Sequence, residues 1–215
     1  MENSILIYSG GLDSTTLLYE YKNNIKLCLN FQYGSRHNEQ ELHYAKIHCQ
    51  KLNKKLIVIT LDFINKYFKS NLLKNNSYDI PKGEYSEETM KKTVVPFRNG
   101  IMLSIAAGIA ESNKLNYIYI ANHSGDHHIY PDCREEFITY MDKAINKGNY
   151  NNIHIISPYL NISKKDIVNK GIKLKVPLHL TYSCYKGNDI HCGICSTCKE
   201  RKKALDQYDK TKYIQ

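Results

Sequence analysis

A chain of 215 residues that is 42% hydrophobic and 24% charged has the balance of a packed globular protein, with room for one full domain and a small appendage. Its longest mostly apolar run, residues 101–110, is about half of the roughly 20 residues a membrane-spanning helix needs, which argues against a helical membrane protein. The excess of 30 basic over 21 acidic side chains, +9, suits nucleic-acid contact or a site for phosphate and carboxylate groups. No basic, apolar leader opens the chain, so a cytoplasmic location is expected.

Residues 4–8 (SILIY) are a short apolar run ending at Ser9-Gly10-Gly11, and helical spacing resumes over 15–21, which predicts strand, turn and helix. Residues 25–31 (IKLCLNF) predict the second strand. Asn38 is expected to cap the next helix, with Glu41 in its first turn, and residues 56–61 (LIVITL) predict a third strand. Residues 70–96 have weak periodicity and many polar groups and predict a long loop with a helical turn near 86–91, of a length that tends to be functional or mobile. Regular alternation then returns: a helix over 98–111, a strand over 117–121, a helix over 132–147 closed by Gly148, and a strand over 153–156. Ser163 and Asp166 predict a capped helix ending at Gly171. This β-α alternation implies an α/β fold: a doubly wound, mostly parallel five-stranded sheet over residues 1–178, followed by a cysteine-rich segment over 179–215 packed on it.

SGGLDST (residues 9–15) lies where a strand ends and a helix begins, the place where open α/β sheets bind ligands. Gly10 and Gly11 free the backbone to turn N–H groups towards an anion, and Ser9, Ser14 and Thr15 offer hydroxyl donors beside a helix N-terminus. Asp13 cannot bind phosphate directly; magnesium bridging carboxylate and phosphate accounts for it. The loop has no lysine and matches neither GxxxxGK[ST] nor GxGxxG, which disfavours ordinary kinase chemistry. It resembles the pyrophosphate-loop signature of the adenine-nucleotide α-hydrolase superfamily, and the resemblance implies attack of a substrate oxygen on the α-phosphate of ATP with loss of pyrophosphate. It also implies that residues 30–32 lie near adenine and ribose.

Four of the seven cysteines, Cys184, Cys192, Cys195 and Cys198, are spaced C-x7-C-x2-C-x2-C. In a chain without an export signal such a cluster points to metal rather than disulfides, and four thiolates close a tetrahedron around one structural zinc. An iron-sulfur cluster is the competitor. Gly193 frees the backbone of the knuckle, and His191 is expected beside the ligands or in solvent. The KERKKAL stretch (residues 199–205) is expected as an exposed helix with solvated lysines.

Three further stretches follow predicted strands or open helices: FQYGSRHNEQE (31–41), VVPFRNG (94–100) and ANHSGDHHIYPDCREEF (121–137). With the glycine loop and the cysteine tail, and in this order over nearly the whole chain, they resemble the 7-cyano-7-deazaguanine synthase family of queuosine-precursor biosynthesis. The resemblance implies ATP-dependent conversion of 7-carboxy-7-deazaguanine and ammonia to the nitrile, through an adenylated carboxylate, an amide and a second activation. It places ATP against Tyr8, Ser9, Gly10, Gly11, Leu12, Asp13, Ser14, Thr15, Thr16, Leu17, Leu18 and Phe31. Catalytic roles fall to Asp13 with magnesium and to Arg98 or Arg36 as cations near the reacting phosphate. Asp126 or Asp132 is expected to bind the guanine-like N1–H and amino edge, Tyr130 or Phe97 to stack on the ring, and Asn99 to join the pocket. His127 and His128 are expected in a solvated loop.

Position 97 departs from the family, carrying Phe where members have a small residue. Nitrogen is expected as free ammonia or from a separate partner, and the resemblance suggests a homodimer. Three alternatives stay open: the same fold stopping at the amide, a tRNA-modifying adenylating enzyme of thiolase or lysine-adding type, and a zinc-ribbon RNA-binding module on an inactive nucleotide fold, against which the intact Ser9, Asp13 and Ser14 count. A thiolase needs a reactive cysteine, for which Cys133 is the candidate.

Overall fold

The computed structural model describes residues 3–76, 79–80, 91–126 and 130–215. Five strands, β1 (Ser4–Ile7), β2 (Ile25–Gln32), β3 (Lys55–Thr60), β4 (Tyr117–Tyr119) and β5 (His154–Ile156), form one sheet in the order β3-β2-β1-β4-β5. All four pairings are parallel, so the sheet is wholly rather than mostly parallel. Alternate side chains feed two cores. Ile5, Leu27, Leu29, Phe31 and Ile118 meet α3 (Asp62–Tyr67), α4 (Arg98–Ser112) and α5 (Glu135–Gly148) on one face. Leu6, Tyr8, Cys28 and Tyr119 meet α1 (Leu12–Glu20), α2 (Asn38–Lys51), α6 (Lys164–Lys173) and α7 (Ser196–Leu205) on the other.

Several local expectations change in detail. Asn38 does not cap α2: its Oδ1 accepts from the amides of Tyr33 and Ser35, and its Nδ2 donates to Phe31 O, so it ties down the loop that leaves β2. Gly148 is the last residue of α5 and Asn149 its C-cap. Gly171 does not end α6 but lies inside it, where a Cβ would meet Leu178 and Thr16 Oγ1 at 3.0 and 3.1 Å. The capping box of Ser163 and Asp166 is present. Short α3 was not foreseen, and the helical turn expected at 86–91 falls on a stretch of which 81–90 lies outside the described residues.

The strand order reverses between β1 and β4, and the glycine loop follows β1 at that switch point. Gly10 has φ +91°, and a Cβ there would lie 2.2 Å from Glu41 O and 2.8 Å from Ala45 N. The loop therefore touches the backbone of α2. Gly11 has φ −74° and needs no special angle. Behind the loop, buried His48 joins three elements: its Nε2 bonds Leu180 O at 2.8 Å and its Nδ1 lies 3.2 Å from Tyr19 Oη. Donation to a carbonyl leaves Nδ1 as acceptor of the tyrosine proton, which fixes a neutral ring.

Two expectations about stability follow. Gly10→Ala combines an unfavourable angle with a backbone clash and is expected to cost more than about 2 kcal/mol in urea unfolding. Burial, the largest cause, lowers the His48 pKa below its ordinary value. The unfolded chain then takes up the proton first, so stability is full above the ordinary histidine range and falls as pH drops through about 6.5. Urea midpoints measured from pH 8 to 5 are expected to fall less steeply in H48Q than in the wild type.

Candidate active site and metal centre

A cleft opens at the C-terminal ends of β1 and β4, lined at its centre by Tyr8, Ser9, Gly11, Leu12, Asp13 and Ser14. The loop is held from behind, because Asn30 Nδ2 donates to Tyr8 O at 2.9 Å and to Ser9 O at 3.3 Å. Ser9 Oγ accepts from Gly11 N and lies 3.0 Å from Ser14 Oγ, so the hydroxyl pair faces the cleft as one unit. Thr15 is fully buried with its hydroxyl 3.1 Å from Tyr8 Oη, which takes it out of the set of phosphate donors. Thr16 donates to Leu12 O, Leu17 and Leu18 are core residues, and Gly10 is covered by α2. Phe31 lines the cleft.

Lys164 was not singled out in the sequence, yet it stands at the mouth of the loop. Its Nζ lies 2.6 Å from Asp13 Oδ2 and 3.8 Å from Glu200 Oε2. Burial opposes its charge, but Asp13 and Glu200 outweigh burial and push its pKa up. The signal was available: the capping box at Ser163 places Lys164 in the first turn of a helix that follows β5, again at the ligand edge of the sheet. Asp13 Oδ1 is buried and has no hydrogen-bond partner, so one oxygen is left for a cation. Magnesium carried by ATP fits that donor, a hard carboxylate oxygen beside a phosphate site.

The far wall carries Arg98, the first residue of α4. Its guanidinium lies over the rings of Tyr33 and Tyr130, at 5.7 and 5.9 Å, and Nη1 donates to Tyr33 Oη at 3.2 Å. Burial works against its charge, while Tyr33 and Asp132 reinforce it and the net pKa is raised. His37, the residue before α2, and Glu41, in its first turn, line the same cleft. Burial first, then the charge of Arg98, lowers the His37 pKa to about 3, so the ring is neutral.

The remaining expected residues divide. Asn99, Asp126 and Tyr130 line the cleft, and Tyr130 Oη lies 3.0 Å from Tyr185 Oη. Asp132 does not line it: its Oδ2 accepts from Asn99 N at 2.7 Å, which caps the start of α4. Arg36 does not line it either, since Nη2 donates to Asn76 O at 2.6 Å. Phe97 is 56% exposed, packs edge-on to Phe137 and has φ +53°, a left-handed angle that glycine adopts without strain. That angle favours glycine at position 97 over any residue with a Cβ. His127 and His128 lie outside the described residues. Cys133 is buried beside Asn99 Nδ2, and burial pushes its thiol pKa well up, so it lacks the character of a reactive thiolate.

The four cysteines converge as expected. The Sγ atoms of Cys184, Cys192, Cys195 and Cys198 all lie within 4.8 Å of one another and are buried. Thiolates 2.3 Å from a tetrahedral zinc would be about 3.8 Å apart, and Cys192 and Cys198 are 4.0 Å apart. The donor set fits a closed metal site such as zinc. Gly193 has φ +79°, and a Cβ there would strike Gln215 O. His191 is buried rather than in solvent, accepting from Ser183 N at 3.1 Å between Tyr182 and Tyr213. The KERKKAL helix is not simply solvated. Arg201 is 1% exposed and donates to Leu178 O, Thr181 Oγ1, Ser183 Oγ and Thr211 Oγ1.

Removing one ligand should release the metal and loosen the tail. In C198S, elemental analysis is expected to show metal falling from about one ion per chain to near zero, with a thermal midpoint lower by several degrees.

The family model for the queuosine biosynthesis protein QueC matches residues 3–209. The chain is 53% identical over 204 residues to the 7-cyano-7-deazaguanine synthase of Porphyromonas gingivalis, covering 95% of this chain and 92% of that one. It is 45% identical over 219 residues to the synthase of the same name from Desulfotalea psychrophila, covering 100% of both. Among solved structures, NMN synthetase from Francisella tularensis superposes with TM-score 0.52 at 14% identity, over 98% of this chain and 79% of that chain. The U34-tRNA thiolase NcsA from Methanococcus maripaludis, with its [4Fe-4S] cluster, gives 0.51 at 13% identity, over 96% of this chain and 66% of that chain. These two likenesses show the fold alone, whereas the match over nearly the full length shows the family: the chain belongs to the QueC family of queuosine biosynthesis proteins.

Proposed function

We propose that this protein is an ATP-dependent ligase that converts 7-carboxy-7-deazaguanine and ammonia to 7-cyano-7-deazaguanine. The observation that supports this reading most is the near full-length likeness to relatives named for that product. The cleft has the chemistry the reaction asks for. The hydroxyls of Ser9 and Ser14 and the amides of the loop hold the leaving pyrophosphate, Lys164 and Asp13 stand at its mouth, and Arg98 balances charge on the carboxylate. Magnesium bound with ATP would withdraw charge from the phosphates.

In the first half-reaction a carboxylate oxygen attacks the α-phosphorus and pyrophosphate leaves; ammonia then displaces AMP and loses a proton to give the amide. In the second, the amide oxygen attacks a new α-phosphorus, pyrophosphate leaves and the nitrogen gives up one proton; expulsion of AMP with loss of the last N–H proton then forms the nitrile. The same oriented loop serves both, which is why one active site suffices. The four-cysteine metal, closed to substrate, fastens residues 179–215 to the nucleotide domain of residues 1–178 and takes no part in the chemistry. The buried thiol of Cys133 counts against a sulfur-transfer reaction. No helix among the described residues is long and apolar enough to cross a membrane. A cytoplasmic homodimer acting on small molecules completes the proposal.

Incubation with 7-carboxy-7-deazaguanine, ammonium and MgATP, read by mass spectrometry, is expected to give the nitrile with AMP and pyrophosphate; accumulation of amide alone would limit the enzyme to the first half-reaction. D13N and R98K are each expected to lower turnover by about 10²–10³-fold at unchanged metal content. Wild-type rates in D13N would remove the carboxylate from the mechanism.

A further inference from the structure

Among the described residues the cleft holds four carboxyl groups, those of Asp13, Glu41, Asp126 and Glu200. Three are engaged. Asp13 and Glu200 flank Lys164, and Asp126 Oδ2 accepts the His123 amide at 3.1 Å. Glu41, in the first turn of α2, is different: among the described residues its ion-pair neighbour is His37, whose Nε2 is 3.9 Å away, beyond hydrogen-bond reach. Arg98 pulls towards ionisation, but burial is the larger effect and pushes the carboxyl up to about 8. With no hydrogen-bond donor to hold its charge, the carboxyl is shifted towards the neutral form, and a ligand that supplies N–H donors favours the carboxylate.

The surroundings say what that ligand looks like. Phe31, Tyr33, Tyr130 and Tyr185 give flat apolar walls, and the Arg98 fork stands near enough to act on both Glu41 and His37. Once N–H donors have ionised it, Glu41 offers two acceptor oxygens on a wall that also carries the Arg98 donors. A 7-deazaguanine acid carries the mirror pattern along one edge: the N1–H and 2-amino donors, then the 6-oxo and 7-carboxylate acceptors.

We infer that Glu41 reads the base, its carboxylate accepting N1–H and the 2-amino group while Arg98 donates to the neighbouring 6-oxo and carboxylate oxygens. The assignment rests on the reaction proposed above. It moves base recognition from Asp126 and Asp132, which already serve His123 and the start of α4, to α2.

Calorimetric titration of the full chain with 7-carboxy-7-deazaguanine and with its analogue lacking the 2-amino group tests this. The wild type is expected to prefer the parent by about 10²-fold or more, because the missing donor leaves a buried acceptor unpaired. In E41Q the preference is expected to shrink to a few fold, with affinity for an ATP analogue and metal content unchanged. A preference in E41Q equal to that of the wild type overturns the inference. A second measurement needs no variant: the 1-methyl analogue, which cannot donate from N1, is expected to lose binding to the wild type, and binding equal to the parent also overturns it. A wild type that binds with this preference yet forms neither amide nor nitrile refutes the reaction while still supporting the role of Glu41.

Discussion

The contact between Gly10 and the first turns of α2 is the constraint on which the rest of the site depends. With a Cβ excluded by Glu41 O, the loop and the helix lie backbone to backbone, and each fixes the other. Asn30 holds the same loop by the carbonyls of Tyr8 and Ser9, and Tyr182 N reaches Gly10 O at 3.2 Å from the cysteine segment. One short stretch of backbone thus brings together β1, β2, α2 and the tail. That is why His37 and Glu41, on a different element from the loop, share its cleft.

The charges of the site are local and paired, which separates them from the overall +9. Near the loop, one lysine stands between two carboxylates; on the far wall, one arginine stands among tyrosines, a neutral histidine and the half-buried carboxyl of Glu41. Low dielectric strengthens each pair and makes an unpaired partner expensive, so ligands that supply the missing partners are favoured over ligands of the right charge alone. Lys199 and Lys203 of α7 are exposed and belong to neither end of the cleft.

Much of this was legible in the sequence, and what was not has physical reasons. The strands showed as apolar runs, and the cysteines converge because their spacing allows little else. Roles that depend on where a side chain turns were hidden. Asp132 looked like a base reader by residue type, but the start of α4 needs an acceptor and takes it. Arg36 and Arg98 were equivalent as cations, and only packing sends one to Asn76 and the other into the cleft. Glu41 was read as a helix-start residue because local spacing describes the helix and not what faces it. The KERKKAL stretch misled in the opposite direction, since one buried arginine among lysines leaves no periodic signal.

Arg201 shows how the cysteine segment is joined to the fold. A guanidinium that is 1% exposed would be prohibitive alone, yet its donors meet Leu178 O, Thr181 Oγ1, Ser183 Oγ and Thr211 Oγ1, so the chain before the first cysteine and the chain after α7 close around one cation. The four cysteines gather as one buried unit that could hold a metal; Arg201 ties that unit to the segment that touches the glycine loop through Tyr182. Glu200 is the neighbour of Arg201 on the same helix, so the anchor that buries one side chain also sets the position of the carboxylate beside Lys164. The tail is therefore part of the floor of the cleft, and the packing of the cysteine unit, remote from the glycine loop, still bears on the placement of the side chains beside it.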